Sequence, residues 1–491
     1  MNIIWSSPSD IIRSSHLTLY PSLFCGVSGL GKTLSGYVFC ALLAIISVAC
    51  SQNYGNTTIN NIVAGDFRAF VSNPLFPSAV GGGSPALQVM DATRDLLSVS
   101  VIGLSSLAAN MNSAGMMVVS PKKDRTLVYS PRDNKLGVVS NSGESLSSTI
   151  NLPGPTESFF FADNNTVFVA VPNAAITGVS AGAVLRIDVA SGTTTATLPI
   201  PAAHYLAASP NSNQILVFSD NSDSATLITP SLIDVSTGSS IVPCSSTQTA
   251  VCTITVAFDR PVGAVFNTSG TTAYVMNCGP QCGGAGVGPC LTFSLCTAVA
   301  VLDMTQNPPV VVNSVPVPAA TIGLLKGNSL YVAGTPKLAV DNDCSGAMPA
   351  TAATTCGRLS VINTATLSAA SVTIPDGYHD RMQMSFNNQL FVGSRNCTNI
   401  NQTLIPNGGK EIRGCLTVID ATSGSVAQSA VVVPPDQGDV TGIEPITNRN
   451  VVYVCEGGRL RIYDTTTDKL ETKPQQPNVI GQAVDVKQVD F

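Results

Sequence analysis

Two short patterns recur in register along the chain. The first is a run of β-branched and aromatic residues: RAFVS at Phe70, TLVYS at Tyr129, TVFVA at Phe168, QILVF at Phe218, TAYVM at Tyr274, SLYVA at Tyr331, QLFVG at Phe391 and VVYVC at Tyr453. The second follows each of these and reads apolar-apolar-Asp, with Asn or Ser as variants, then small hydroxylated residues. Its copies are VMDATRD at Asp91, VVSNSGE at Ser140, RIDVASG at Asp188, LIDVSTG at Asp234, VLDMTQN at Asp303, VINTATL at Asn363, VIDATSG at Asp420 and IYDTTTD at Asp464. β-Branched and aromatic residues suit a pleated, packed surface. An Asp or Asn closing such a run accepts hydrogen bonds from backbone N–H groups two residues on, which starts a turn into the next strand. Each copy therefore predicts a strand followed by a hairpin turn.

A further apolar stretch precedes most of the first patterns, for example MMVVSP, FFFA, YLAASP, GAVFN, IGLL and MQMSF. Another follows the turns, such as TATLPIPA, VVVNSVPVP, SVTIP and AQSAVVVP. Four antiparallel strands per unit emerge, and no helical period competes with them. Successive turn residues lie roughly 44 to 69 residues apart, and four-stranded units of about 40 to 50 residues mark a β-propeller, where a lone blade cannot bury its faces and a closed ring can. The prediction is an all-β chain forming a β-propeller of eight four-stranded antiparallel blades. The first unit lacks an inner strand, while GQAVDVKQVDF (Gly481 to Phe491) alternates like a strand and has no blade of its own. The C-terminal strand is expected to complete the first blade and close the ring.

AYVMN (Ala273 to Asn277), together with SLYVAG, VVYVC and the apolar-Asp turns that follow, resembles the YVTN-repeat β-propellers of bacterial and archaeal cell-surface proteins. The resemblance covers about Arg68 to Phe491. It implies the fold and a place at the cell surface, but no single activity, because related rings serve as lactonases and quinoprotein dehydrogenases. Such propellers commonly have seven blades, so seven is the alternative to eight. The tryptophan-aspartate repeat class is disfavoured, since the one Trp, Trp5, precedes the repeats.

The first residues are of another kind. Lys32 precedes an apolar segment from Gly36 to Ala49, 14 residues long. A spanning helix needs roughly 17 to 25 residues, so the segment fits the apolar region of an export signal. It ends Ser47-Val48-Ala49-Cys50, which resembles the bacterial lipoprotein signal and implies acylation of Cys50 as the mature N-terminus; Ser47 departs from the usual aliphatic residue. The expected organisation is a leader at 1–49, a polar tether at 50–66 and the propeller at 67–491. Gly26 to Thr33 also satisfies the phosphate-loop pattern G-x-x-x-x-G-K-[ST], but that pattern needs a nucleotide-binding α/β domain around it, and here the signal's own apolar segment follows.

Composition narrows the function further. Charged residues are 11% of the chain and the formal charge is −6, so there is no basic footprint for nucleic acid. The mean hydropathy of +0.29 does not imply a membrane-embedded body, because Gly36 to Ala49 is the one sustained apolar run.

Of the 14 cysteines, Cys25, Cys40 and Cys50 precede the body. Cys278 follows the second strand of its unit and Cys296 precedes the third. Cys397 and Cys415 do the same two units later, Cys344 and Cys356 sit in the intervening loop, Cys282 and Cys290 nest inside the Cys278 to Cys296 loop, and Cys244 and Cys252 bracket a short insertion. Loop ends on neighbouring strands are close enough for disulfides, which would pin the insertions and imply an oxidising compartment. A metal site in the four-cysteine cluster is the rival, but its spacing lacks the paired C-x2-C of zinc ribbons and has no His nearby. Cys455, within a strand, is left as a buried free thiol.

In an antiparallel blade the end of the second strand lies beside the start of the first, so the cysteine-bearing loops and the entries of the inner strands share one face. Those entries carry Glu157, His204, Arg260, His379, Asp380, Arg381 and Asp439. This ring is the candidate ligand site, for an anionic or polar ligand or with a His placed for acid-base work. No Ser-His-Asp order or paired-carboxylate motif stands out, no catalytic residue is assigned, and no cofactor or metal is expected. The function expected is an exported, lipid-anchored binding or scaffold module at the cell envelope, its partners the membrane through Cys50 and a protein or polysaccharide. The alternatives are a lactonase- or dehydrogenase-like enzyme at the channel mouth and a purely structural surface protein. Intact mass of membrane-extracted protein should begin at acylated Cys50, and Cys50→Ala should leave the chain unprocessed; an unprocessed wild-type chain would overturn the export assignment.

Overall fold

The computed structural model describes residues 67–77, 83–105, 111–176, 179–234, 241–254, 258–284, 297–336, 357–399, 411–421, 431–433, 439–471 and 476–490. The expected leader, tether and Cys50 lie outside the described residues, as do Cys290, Cys296, Cys344 and Cys356.

Eight antiparallel blades form a ring. Their innermost strands, from blade 1 to blade 8, are Asp485–Gln488, Met117–Val119, Ser158–Phe161, Ala203–Ala208, Pro261–Phe266, Ile322–Lys326, Tyr378–Met384 and Val440–Pro445. Each touches the next around the full circle. Blade count and ring closure are therefore as the repeat predicts. The aromatic pattern forms the second strand, as in Thr166–Val171 and Val451–Glu456, and the Asp pattern closes the third. Asp91 accepts from the Thr93 N–H at 2.9 Å, and Asp188, Asp303, Asn363 and Asp464 each accept from an N–H two or three residues on.

Blade 4 departs from the pattern. Its third strand is Ala225–Ile228, and LIDVSTG begins beyond it, at Leu232, the last residue of a 3-10 turn at Pro230–Leu232. Pro230 has no N–H to continue the ladder. The chain returns through Val251–Ile254, with Val242–Pro243 added as a fifth, parallel strand, and the Cys244–Cys252 disulfide ties the two across a Cα separation of 4.8 Å.

The core is a series of apolar clusters, one between each pair of neighbouring blades. Alternate residues of a strand serve opposite interfaces. Val167, Val169 and Val171 pack toward blade 2, whereas Phe168 and Ala170 pack toward blade 4. Second strands are therefore buried on both faces and read as continuous apolar runs. Outer strands such as Ser145–Asn151 have mostly exposed residues, and inner strands such as Ala203–Ala208 are half-buried because one face lines the channel.

The ring closes where the chain's ends meet. Asp485–Gln488 pairs antiparallel with the strand Arg68–Pro77, with Ala69 opposite Gln488 and Ser72 opposite Asp485. Val486 packs into the blade 8 interface and Val489 into the blade 2 interface. Polar contacts reinforce both sides. Arg449 of blade 8 grips Asp95 of blade 1 through Nη1 and Nη2, at 2.5 and 2.6 Å, and the Tyr453 hydroxyl donates to the same buried carboxylate at 2.5 Å. Arg68 of blade 1 holds Asp490 and Glu144 of blade 2. Removing one partner of a buried pair strands the other, at a cost of about 3 to 5 kcal/mol. Asp95→Ala should accordingly lose about 3 kcal/mol or more in urea unfolding. A loss below about 0.5 kcal/mol, the ordinary size of a surface substitution, would show that closure does not depend on this contact.

Candidate functional site

Each inner strand enters the ring beside the end of its second strand, and several entries are bulged. The extra residue lies between Ala203 and Tyr205 in blade 4, between Pro261 and Gly263 in blade 5, between His379 and Arg381 in blade 7 and between Val440 and Gly442 in blade 8. His204, Val262, Asp380 and Thr441 thus occupy equivalent positions around the ring. A bulge adds one residue without a ladder partner and re-aims its side chain. At this end lies a cavity of about 520 Å³, walled by blades 1 to 7, with Glu157, Tyr205, Tyr378, Asp380, Arg381 and Arg395 among its polar lining. That volume falls in the small-molecule range of roughly 300–1,000 Å³.

Blade 7 supplies most of the charge. Tyr378 and Arg395 are cross-strand partners, and the guanidinium lies 5.7 Å from the Tyr378 ring centroid. Arg395 Nε also donates to Asp380 Oδ2 at 2.7 Å. Arg395 itself sits where the ladder shifts register between Ser394 and Cys397, and the Cys397–Cys415 disulfide clamps that irregularity across a Cα separation of 6.0 Å. Gly377 fits beneath it with φ +105°; a Cβ there would lie 2.6 Å from the Arg395 carbonyl oxygen. Arg381 donates through Nε to the Thr441 carbonyl at 2.9 Å and through Nη1 to the Asp380 carbonyl at 3.0 Å. Asp380 Oδ1 is buried and has no hydrogen-bond partner. Burial raises the Asp380 pKa, Arg381 and Arg395 oppose this, and Asp439 adds to it.

Blades 3 and 4 supply the rest. His204 Nδ1 lies 2.6 Å from Asp220 Oδ1, and its Nε2 lies 3.5 Å from Glu157 Oε2. Burial works against the charged ring, but the two carboxylates outweigh it and raise its pKa above 6.5. The contact with His204 holds Glu157 below the usual carboxylate range. His204 stacks on Tyr205, with ring centroids 4.0 Å apart. The Tyr205 and Tyr378 hydroxyls approach each other, and burial raises the pKa of both. Since they belong to blades 4 and 7, their contact spans the channel.

Of the residues predicted for the mouth, Glu157, Asp380 and Arg381 line the cavity. His204 borders it through Glu157 and Tyr205, and Asp439 stands behind Asp380, accepting from the Asn396 N–H at 3.3 Å. His379 and Arg260 do not line it. The pleat turns His379 away from the face that carries Tyr378 and Asp380; it is 1% exposed, with Nε2 3.1 Å from the Pro375 carbonyl, and burial lowers its pKa to about 4. Arg260 turns aside with φ +52° and meets Asp223, 3.7 Å from Nε. Sequence reasoning missed Tyr205, Tyr378, Arg395 and Asp220. Tyr205 and Tyr378 are direct neighbours of the two predicted histidines, so the strand entries already pointed to them.

The cysteines need one correction. Cys278 bonds to Cys282, not across the loop to Cys296, because the 3-10 turn Gly279–Cys282 brings their Cα atoms to 5.6 Å, and Cys282 is thereby taken from the nested pairing with Cys290. The disulfides of the described residues are Cys244–Cys252, Cys278–Cys282 and Cys397–Cys415, and Cys455 is a buried free thiol. Among the described residues no group of three or more His, Cys, Asp or Glu could hold a metal ion, and no helix is long and apolar enough to cross a membrane.

No protein-family model matches this chain, and no curated protein matches its sequence. Among solved structures it is similar to dihydro-heme d1 dehydrogenase NirN in complex with DHE, with a TM-score of 0.53 and 11% identity over 86% of this chain and 75% of that one. It is also similar to apo AztD from Citrobacter koseri, with a TM-score of 0.48 and 12% identity over 86% and 97%. A functionally unknown protein from Desulfotomaculum acetoxidans gives a TM-score of 0.45 and 11% identity over 86% and 98%. At such identities the NirN likeness shows the β-propeller fold alone.

The two histidines should titrate on opposite sides of pH 6.5. His204 has a raised pKa, so its contribution to stability is fully present below about pH 6.5 and is lost as pH rises through the folded value. His379 is held neutral, so its contribution is present above about 6.5 and is lost as pH falls toward 4. Imidazole NMR titration should give a His204 midpoint above 6.5 that falls in Asp220→Asn, and a His379 signal that stays neutral until about pH 4. A His204 midpoint below 6.5 would show that Asp220 and Glu157 do not hold its charge.

Proposed function

We propose that this chain is an exported, lipid-anchored β-propeller that serves as a ligand-binding module at the cell envelope, with its site at the channel mouth. One observation carries the reading: blades 3, 4 and 7 converge Glu157, Tyr205, Tyr378, Asp380, Arg381 and Arg395 on one cavity of small-molecule size. Polar groups this numerous, aimed into a partly apolar cavity and fixed by bulges and a disulfide, are what a preformed site requires. The purely structural alternative calls for a plugged channel, and the cavity weighs against it.

Export is supported from two directions. The apolar segment before Cys50 has the length of a signal, and disulfides persist in oxidising compartments. The YVTN-like repeat is in keeping with a surface role. The partner at the envelope is a soluble molecule or the exposed end of a larger polymer.

One contact favours an enzyme as the second reading. His204 is oriented by Asp220 as a general acid or base would be, and it lies beside the cavity. Catalysis there would be lost in His204→Ala with little change in ligand affinity.

A thermal-shift screen of the full mature chain against water-soluble metabolites and cell-wall fragments tests the binding reading. A true ligand at about one hundred times its Kd adds about 2.7 kcal/mol to the folded state. The resulting rise in Tm should largely disappear in Asp380→Asn. A ligand whose shift survives in that variant binds elsewhere, and a screen with no shift at all would overturn the binding module.

A further inference from the structure

We infer that the ligand of this cavity is uncharged and rich in hydroxyl groups, a neutral saccharide or comparable polyol, and that Asp380 Oδ1 accepts from it. The inference rests on the binding reading above and adds the chemistry of the ligand.

Charge balance comes first. Two guanidiniums, Arg381 and Arg395, reach the cavity wall, and two carboxylates, Asp380 and Glu157, stand with them. Arg395 Nε pairs with Asp380 Oδ2, and Arg381 is anchored through Nε and Nη1 on the Thr441 and Asp380 carbonyls. The carboxylates of Asp380 and Glu157 offset their charge, with Asp439 behind them. A bound anion would add a negative charge to a wall whose positive charge these carboxylates already balance. A cation fares no better: Arg381 and Arg395 flank Asp380, and Arg395 already covers the Tyr378 ring that would otherwise attract it.

Hydrogen-bonding capacity comes second. Asp380 Oδ1 is an acceptor without a donor, buried in the wall shared with a second cavity of about 260 Å³. Leaving such an atom unpaired costs free energy that a ligand hydroxyl recovers. The hydroxyls of Tyr205 and Tyr378, both in the cavity wall, can each accept from or donate to a ligand. Apolar surface from Met116, Val262, Ala264, Met276 and Ile322 lines the remainder. A neutral sugar offers this combination: hydroxyl donors on its rim and C–H surface on its faces.

Calorimetric titration of the full mature chain tests this with glucose, N-acetylglucosamine, trehalose and cellobiose against glucuronate and glucosamine as charged analogues. At least one neutral sugar should bind, with both charged analogues weaker. Asp380→Asn should weaken that binding by about 10- to 100-fold, the range of a charge-assisted hydrogen bond. Because Asp380 is an ion-pair partner, Tyr378→Phe serves as a second variant that keeps the ring and removes the hydroxyl; it should weaken binding by about fivefold, as for a neutral hydrogen bond. Preferred binding of glucuronate or glucosamine, lost in Asp380→Asn, would overturn the neutral class and leave the site standing. Affinity for a neutral sugar unchanged in both variants would overturn the role of Asp380. No neutral sugar binding at all would overturn the inference, whatever the metabolite screen finds.

Discussion

Ring closure by the last strand is the constraint on which everything else depends. A blade buries its second and third strands only against neighbours on both sides, so an open ring would leave two blade faces in water. Pairing of Asp485–Gln488 with Arg68–Pro77 removes both at once. The strand fills the inner position of blade 1, and its flanks, Val486 and Val489, complete the interfaces with blades 8 and 2. Lys487 reaches Glu444 of blade 8 at 3.2 Å, and Asp485 accepts from the Met117 N–H of blade 2 at 2.7 Å. Contacts separated by hundreds of residues must therefore form before any channel exists.

The site follows from that ring, because its parts lie on blades far apart in sequence. Asp380, Arg381 and Arg395 come from one blade, while Glu157 and Tyr205 come from two others. Nothing local holds these groups together. Local devices then set the details: a bulge presents Asp380, a register shift clamped by Cys397–Cys415 presents Arg395, and the pair meets at 2.7 Å. The disulfide constrains the backbone of the residue that neutralises Asp380, which links redox compartment to site geometry.

Strand order and blade number were legible because burial on both faces writes itself into sequence as apolar runs, and Asx turns mark where those runs end. The same reasoning failed at Asp234, where Pro230 ends the ladder early and the motif lies beyond its strand. At the mouth, the sequence located the strand entries but not which residues face inward. His379 was expected beside Asp380, yet adjacent residues on a strand point to opposite faces, and the bulge decides which of them lines the channel. Cys278 was expected opposite Cys296 because loop ends usually meet; a four-residue turn offered Cys282 first. Arg395 carried no motif at all, since its role comes from cross-strand pairing with Tyr378.

Equivalent positions explain how one repeat carries a specific site. The bulged residue is His204 in blade 4, Val262 in blade 5, Asp380 in blade 7 and Thr441 in blade 8. The residue after it is Tyr205, Gly263, Arg381 or Gly442. Backbone geometry at these entries is shared, so exchanging the side chain alters the channel wall on a constant frame. Large polar groups fall on blades 4 and 7 and small or apolar ones on blade 5, so the cavity is polar on two sides and smooth on a third. A ligand with hydroxyls on its edges and a C–H face fits that asymmetry, whereas a ring decorated evenly with charge would favour an ion on the axis.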